Sequence, residues 1–199
     1  MADTVPWAPE YPVETSRLLL RPHRLDDFDD LTRYHSDPEV VRYIPWPVRT
    51  PEQTREALAA RTRQGVVFEP GQWLVLAMEL KGEGRVIGEM LLKYESDTHA
   101  TGELGYAMAA DMGGQGYATE AAEAMLELAF GRFGLHRVLG RLDARNEASA
   151  ALLRRVGMRL EARHLEDEFF KGEWTDTLVF AILAEEWRAA HPAEHIPLP

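Results

Sequence analysis

The stretch Gly113-Gly114-Gln115-Gly116-Tyr117-Ala118-Thr119-Glu120 joins a strand-like run, Glu103 to Met108, to a helix-like run that extends to about Phe133. A glycine-rich turn in that setting aims several backbone N–H groups at one point in space. Those N–H groups have no partner inside the helix, and the helix dipole adds partial positive charge there. The chemistry on offer is a phosphate site built from backbone rather than from lysine. An ATP-type loop needs Lys-Ser/Thr after its last glycine, and Tyr117-Ala118 stands there instead. A dinucleotide fingerprint needs a third glycine where Thr119 falls, and it belongs to a first strand–helix unit rather than past mid-chain. An ordinary glycine-rich turn is the plain alternative.

A second cluster runs from Asp143 to Met158 and contains Asn146, Ser149 and Gly157. Asn is a strong helix N-cap, so Asn146 with Glu147 and Ser149 in the first turn, taken alone, reads as a plain helix start; only the phosphate-type turn upstream shifts the balance to a ligand contact. Glu103 shares a strand face with Gly105 and Ala107 by the period of two. It is either a solvated carboxylate or a general base acting through water. Gly105 either marks a bulge or permits a close approach to the backbone.

The elements that must position these residues follow from periodicity and punctuation. Arg17 to Arg21 reads as a strand ending at Pro22, and Leu25 to His35 as a helix with Asp26 and Asp27 in its first turn. Glu39 to Tyr43 reads as a helical turn, and Pro45-Trp46-Pro47 as a loop. Thr50-Pro51-Glu52-Gln53 is a helix start with a capping box, and that helix reaches about Gln64. Trp73 to Leu80 and Val86 to Tyr94 form a hairpin around a glycine-bearing loop. Gly102 to Met108 is the next strand. The helix after the turn carries Ala118, Ala122, Met125, Leu126, Ala129 and Phe133 as an apolar stripe. His136 to Leu142 is a strand, Glu147 to Val156 a helix stopped by Gly157, and Arg159 to Phe170 with Thr175 to Leu183 a closing hairpin. Glu185 to Ala190 is a short last helix. This order lacks the strict alternation of a doubly wound fold.

Three strings together resemble the GNAT superfamily of N-acetyltransferases, and within it the Rim-type branch of ribosomal-protein N-terminal acetyltransferases. They are G-Q-G-Y-A-T-E-A at Gly114 to Ala121; the N-x-x-S-x-x-L-L-x-x-x-G-F pattern at Asn146 to Met158, with Met158 in place of Phe; and G-x-W-x-D at Gly172 to Asp176, followed by an apolar strand and Glu186-Trp187. The resemblance covers Thr15 to about Trp187. It implies a mixed α/β (α+β) fold: a central, mostly antiparallel sheet splayed between its fourth and fifth strands and flanked by helices. It implies acetyl-CoA as cofactor, with diphosphate contacts from Gly113, Gly114, Gln115, Gly116, Tyr117, Ala118 and Thr119. The pantetheine arm would pair with the strand edge at Tyr106, Ala107 and Met108 like an added strand. Asn146 would contact that arm, and the Ser149 hydroxyl would lie near the thioester sulfur as a proton donor. Gly113 departs from the Gln or Arg that often opens this loop, which removes one side-chain contact and leaves the backbone cradle. Tyr43, Trp46 and Trp73, with Phe68 near them, would wall the amine acceptor. The acceptor implied is a protein N-terminus, an aminoglycoside, a polyamine or another small amine, and the sequence does not choose among them. The resemblance also leaves a homodimer open.

The expected domain plan is an irregular arm over 1–14, one domain over 15–190 and a tail over 191–199. The chain has 199 residues and is 45% hydrophobic, enough for one full core. Its net charge of -11 disfavours nucleic-acid binding and suits a cationic acceptor. The seven His are scattered, and no metal site is expected. With no cysteine the chain has neither disulfides nor the most usual acyl-carrying nucleophile. Met1 to Pro12 lacks a secretory pattern and no apolar run approaches membrane-spanning length, so a cytoplasmic setting without membrane partners is expected. The expected activity is transfer of acetyl from acetyl-CoA to a primary amine by direct attack; the alternative is a non-catalytic acyl-CoA-binding module.

Overall fold

Buried leucines, methionines and alanines build the centre of the molecule, and a computed structural model describes it over residues 6–192. In chain order the elements are β1 (Val13–Glu14), β2 (Leu18–Pro22), α1 (Phe28–His35), α2 (Pro38–Val41), α3 (Pro51–Arg61), β3 (Trp73–Leu80) and β4 (Val86–Ser96). They continue with β5 (Thr101–Met108), α4 (Tyr117–Glu127), β6 (Arg137–Asp143), α5 (Glu147–Arg155), β7 (Arg159–Phe170), β8 (Glu173–Leu183) and α6 (Ala184–Ala190). The helix starts obey local chemistry. Thr50 caps α3 in a reciprocal box, its hydroxyl accepting from the Gln53 N–H while the Thr50 N–H donates to Gln53 Oε1 at 2.9 Å. A π-helical turn, Leu128–Arg132, extends α4 to the glycines that end it.

All eight strands form one sheet in the order β1-β2-β3-β4-β5-β6-β8-β7. Every neighbouring pair is antiparallel except β5 and β6, which run parallel and pair only where Thr101, Gly102 and Glu103 meet Arg137, Val138 and Leu139. Beyond Glu103 the two strands separate. The splay expected between the fourth and fifth strands is this one, shifted in count by the short β1. The N-terminal arm is less irregular than the sequence suggests. Val13–Glu14 pair with β2, and Trp7 is buried, stacked on Phe133 at 4.7 Å and tilted against Tyr94 at 4.3 Å. Burying an indole between two aromatic rings outweighs the prolines' resistance to regular structure. Residues 1–5 of that arm, and 193–199 of the expected tail, lie outside the described residues. No helix among the described residues is long and apolar enough to cross a membrane.

Strand alternation divides the core between two faces. Leu74, Leu76, Met78, Met90, Leu92 and Leu104 face α4 and α5, packing on Ala121, Ala122, Met125, Leu152 and Leu153. On the opposite face, Ala107 packs with Leu31, Tyr34 and Leu58 of α1 and α3. The edge strand β7 is solvent-exposed along nearly all its length and its ladder is broken. Four steps from His164 to Glu168 oppose two from Thr177 to Thr175, and the bulge carries Glu166 at φ +47°.

Beneath α1–α3 lies a charged network on Glu89, which points off β4 with no solvent exposure. Arg61 grips both Glu89 oxygens, with Nη2 at 2.6 Å from Oε1. His23 Nε2 at 3.3 Å and His35 Nε2 at 3.4 Å complete the ring. Arg21 forks Asp27 at 2.7 and 2.8 Å and reaches Glu79 at 2.5 Å. Burial opposes charge on Glu89, yet the attraction and hydrogen bonds of Arg61 and the two histidines win, and its carboxyl sits well below the usual range. Removing one member of a buried ion pair typically costs about 3–5 kcal/mol. Glu89→Gln is therefore expected to lower stability at neutral pH by about that much in urea unfolding. Because the folded pKa is depressed, the stability that Glu89 lends is complete above its unfolded pKa of about 4.3 and drains as pH falls. The variant should accordingly lose less on acidification than the parent.

Candidate functional site

Gly116 is the N-cap of α4 and adopts φ +83°; Gly114, at φ +74°, has no atom within 4 Å of where a Cβ would lie. These left-handed positions let the chain reverse between β5 and α4 at no steric cost. No hydrogen bond within the described residues engages the N–H groups of Gly114, Gln115, Gly116, Tyr117, Ala118 and Thr119. The turn is thus an open row of donors at the positive end of an eleven-residue helix. The side chain of Thr119, one turn in, accepts from Arg155 Nη1 of α5 at 3.0 Å. This arrangement fits a diphosphate.

The splay lies beside the turn. Tyr106, Ala107 and Met108 occupy the part of β5 that β6 does not pair, so the β6-facing edge of this segment is free for an extended ligand. Gly88 of β4 backs this segment closely, its missing Cβ falling 2.5 Å from the Ala107 carbonyl. At Gly105 a Cβ would meet only Leu91, at 3.9 Å, and the ladder shift on this pair falls at Tyr94/Ser96. Gly105 is therefore an open position and not a bulge.

Asn146 caps α5, its Oδ1 accepting from the Ser149 N–H at 3.1 Å. The Ser149 hydroxyl lies 3.1 Å from the Tyr106 hydroxyl, so α5 and the unpaired half of β5 share a hydrogen bond inside the splay. Burial pushes the Tyr106 phenol up, with Ser149 acting in the opposite direction. Glu103 stands where the two strands part and is ion-paired to Arg141 of β6 across the gap. Burial raises its pKa against the pull of Arg141. In register with it run Lys93 and Trp73, whose Nζ and ring centroid are 5.8 Å apart.

The expected acceptor walls do not form one cluster. Tyr43 lies 5.7 Å from the Arg145 guanidinium at the β6–α5 corner, and Lys171 of the β7–β8 turn donates to the Val41 carbonyl at 2.5 Å. Trp73 is on β3, on the far side of Lys93 from Glu103. Trp46 covers the buried network, its ring 4.6 Å from Arg49 and 5.6 Å from Arg61. Phe68 is 63% exposed. Sequence reasoning missed the Glu89 network, whose members are scattered along the chain. It also missed the Tyr106 hydroxyl, which the alternation with Leu104 placed on the α5 face.

With this geometry in view, the chain belongs to the acetyltransferase (GNAT) domain family, whose model matches residues 17–159. It is an acetyl-CoA-dependent acetyltransferase. It is 31% identical over 181 residues to the uncharacterized N-acetyltransferase YnaD of Bacillus subtilis, covering 88% of this chain and 98% of that protein. It is also similar to the GNAT-family acetyltransferase structure from Bacillus anthracis, with TM-score 0.78 and 29% identity over 86% of this chain and 98% of the other. The fold is shared with RimL, a ribosomal L7/L12 alpha-N-protein acetyltransferase solved with coenzyme A, at TM-score 0.72 and 20% identity over 87% of this chain and 97% of that one.

Asp caps a helix about as well as Asn but lacks the amide donors. Asn146→Asp is expected to leave the melting temperature close to that of the parent while weakening coenzyme A in calorimetric titration. Equal affinity would reduce Asn146 to a cap.

Proposed function

We propose that the protein acetylates a primary amine by direct attack within a ternary complex. The row of unpartnered N–H groups from Gly114 to Thr119, opening beside the Tyr106–Ser149 hydroxyl pair, is the observation that carries this reading. Bound acetyl-CoA supplies a thioester carbonyl. The chain's own residues then have distinct tasks. The turn holds the diphosphate, and the free edge of Tyr106 to Met108 aligns the pantetheine arm. Asn146 presents its amide to that arm. The Ser149 hydroxyl, backed by Tyr106, donates a proton to the thiolate as the C–S bond breaks. Glu103, with its pKa raised by burial, accepts the proton that the amine gives up as its nitrogen bonds to the carbonyl carbon.

The acceptor is a protein N-terminus or a small amine, cationic in its resting form, which releases that proton to solvent and attacks as the free amine. The carboxylate of Glu103, standing where the two strands part, supports that choice. The Rim-type likeness supports a protein N-terminus.

Thiol release from acetyl-CoA against a panel of amines and peptides tests the activity directly. Ser149→Ala should lower kcat while leaving acetyl-CoA affinity nearly intact, by less than the ~10²-fold that marks the lower end for a strong general acid. Tyr106→Phe should produce a smaller effect in the same direction. Glu103→Gln should remove the rise of kcat/KM with pH on the acid side. An unchanged profile in that variant would leave Glu103 as a partner of Arg141 alone.

A further inference from the structure

Arg17 precedes β2, far in sequence from the glycine turn, yet its side chain closes on that turn from several directions. Nη1 donates to the Gln115 carbonyl at 2.9 Å. Nε donates to Glu120 Oε2 at 2.7 Å, and the Arg17 N–H donates to Glu120 Oε1 at 2.6 Å. The guanidinium lies over the Tyr117 ring, 4.3 Å from its centroid. Nη2 is 3.4 Å from where a Cβ on Gly116 would lie. Thr15 completes the set: its hydroxyl donates to Glu120 Oε1 at 2.6 Å and accepts from the Leu18 N–H at 2.9 Å.

Two physical consequences follow. A trans peptide is planar, and its C=O and N–H point in opposite directions. Holding the Gln115 carbonyl therefore fixes where the Gly116 N–H aims, which is away from Arg17. The peptide between two residues of an intrinsically permissive turn is thereby set in one orientation. Second, Glu120 is a carboxylate in the first turn of α4, where it would repel an incoming diphosphate. Arg17 offsets that charge and turns Glu120 into an anchor. Gly113 contributes no side chain to the turn, so the guanidinium stabilising it comes from the other end of the chain.

We propose that Arg17 is a positioning residue for the coenzyme's diphosphate, acting through the Gln115 carbonyl to aim the N–H groups of the turn. This rests on the coenzyme reading of Gly113 to Thr119. A mere charge-balancing role makes a different prediction, and the variants Arg17→Ala, Arg17→Lys, Glu120→Gln and the double variant Arg17→Ala/Glu120→Gln separate the two.

Calorimetric titration with coenzyme A and with dephospho-coenzyme A, which keeps the diphosphate, is the readout. Both Arg17 variants should raise Kd for both ligands by the same factor of about tenfold, the order carried by one charge-assisted hydrogen bond. The double variant should stay as weak as Arg17→Ala, since removing the Glu120 charge does not restore the hold on the Gln115 carbonyl. Turnover of S-acetylpantetheine, which lacks the diphosphate, should match the parent. Recovery of affinity in the double variant would overturn positioning in favour of charge balance. Parent-like affinity in Arg17→Ala, or an equal loss with S-acetylpantetheine, would overturn the proposal outright. If the parent protein itself fails to bind coenzyme A, the coenzyme reading falls and this proposal with it; a parent that binds, with a loss in both Arg17 variants that the double variant does not recover, upholds both.

Discussion

Two parallel strands that pair for only three residue positions set the terms for the rest of this molecule. Backbone N–H and C=O groups withdrawn from a ladder must find other partners or remain in water. Between β5 and β6 that requirement is left open over Tyr106 to Met108, and the neighbouring elements keep it so. The Glu103–Arg141 ion pair ties the strands where they part. On the outer side β6 is held by β8 over its full length, so it does not drift toward β5. The α4 crossover, required because parallel strands cannot be joined by a tight turn, delivers the glycine turn to the wide end of the gap. One topological necessity thus produces both the cleft and the anion site at its mouth.

The two faces of the sheet divide the labour. The α4–α5 face is apolar and close-packed, which suits helices that must hold a ligand in fixed register. The α1–α3 face encloses ions instead, with Glu89 at the centre and Arg61, His23 and His35 around it. Such a network is weak evidence for stability in itself, because desolvation offsets much of the attraction. Its geometric demands are strict, however. It fixes α3 and the segment carrying Trp46 relative to β4.

Much of the fold was legible in local chemistry. The Thr50 box, the glycines after α4, the Gly157 stop and the two hairpins each declared themselves through residues adjacent in sequence. The glycine turn and the Asn146–Ser149 spacing were legible for the same reason. What escaped depends on long-range pairing. Arg17 meets Gln115 and Glu120 only after the sheet has formed, and Trp7 finds Tyr94 and Phe133 only once β4 and the end of α4 are in place. The expected acceptor aromatics lie apart because residues distant in sequence carry no mutual register: Trp73 is on β3, whereas Tyr43 and Trp46 fall between α2 and α3. Trp46 was drawn to two guanidiniums and Tyr43 to a third.

The bulge in β7 bears on how the protein behaves among copies of itself. An exposed outer strand is a ready template for edge-to-edge growth of a sheet, and a long hairpin such as β7–β8 would be the natural seed. Here the strand is bent at mid-length by the bulge, which breaks the regular spacing of its main-chain groups. The ladder to β8 shifts register between His164 and Glu168, where Asp176 Oδ1 of β8 takes the Glu166 N–H at 2.9 Å and Asp167 Oδ1 takes the Thr177 N–H of β8 at 3.0 Å. A second chain laid along this edge would lose register after a few residues and would bring its own acidic groups against these. The irregularity acts as a gatekeeper against fibrous stacking, leaving the hairpin free to remain long and exposed in a crowded solution.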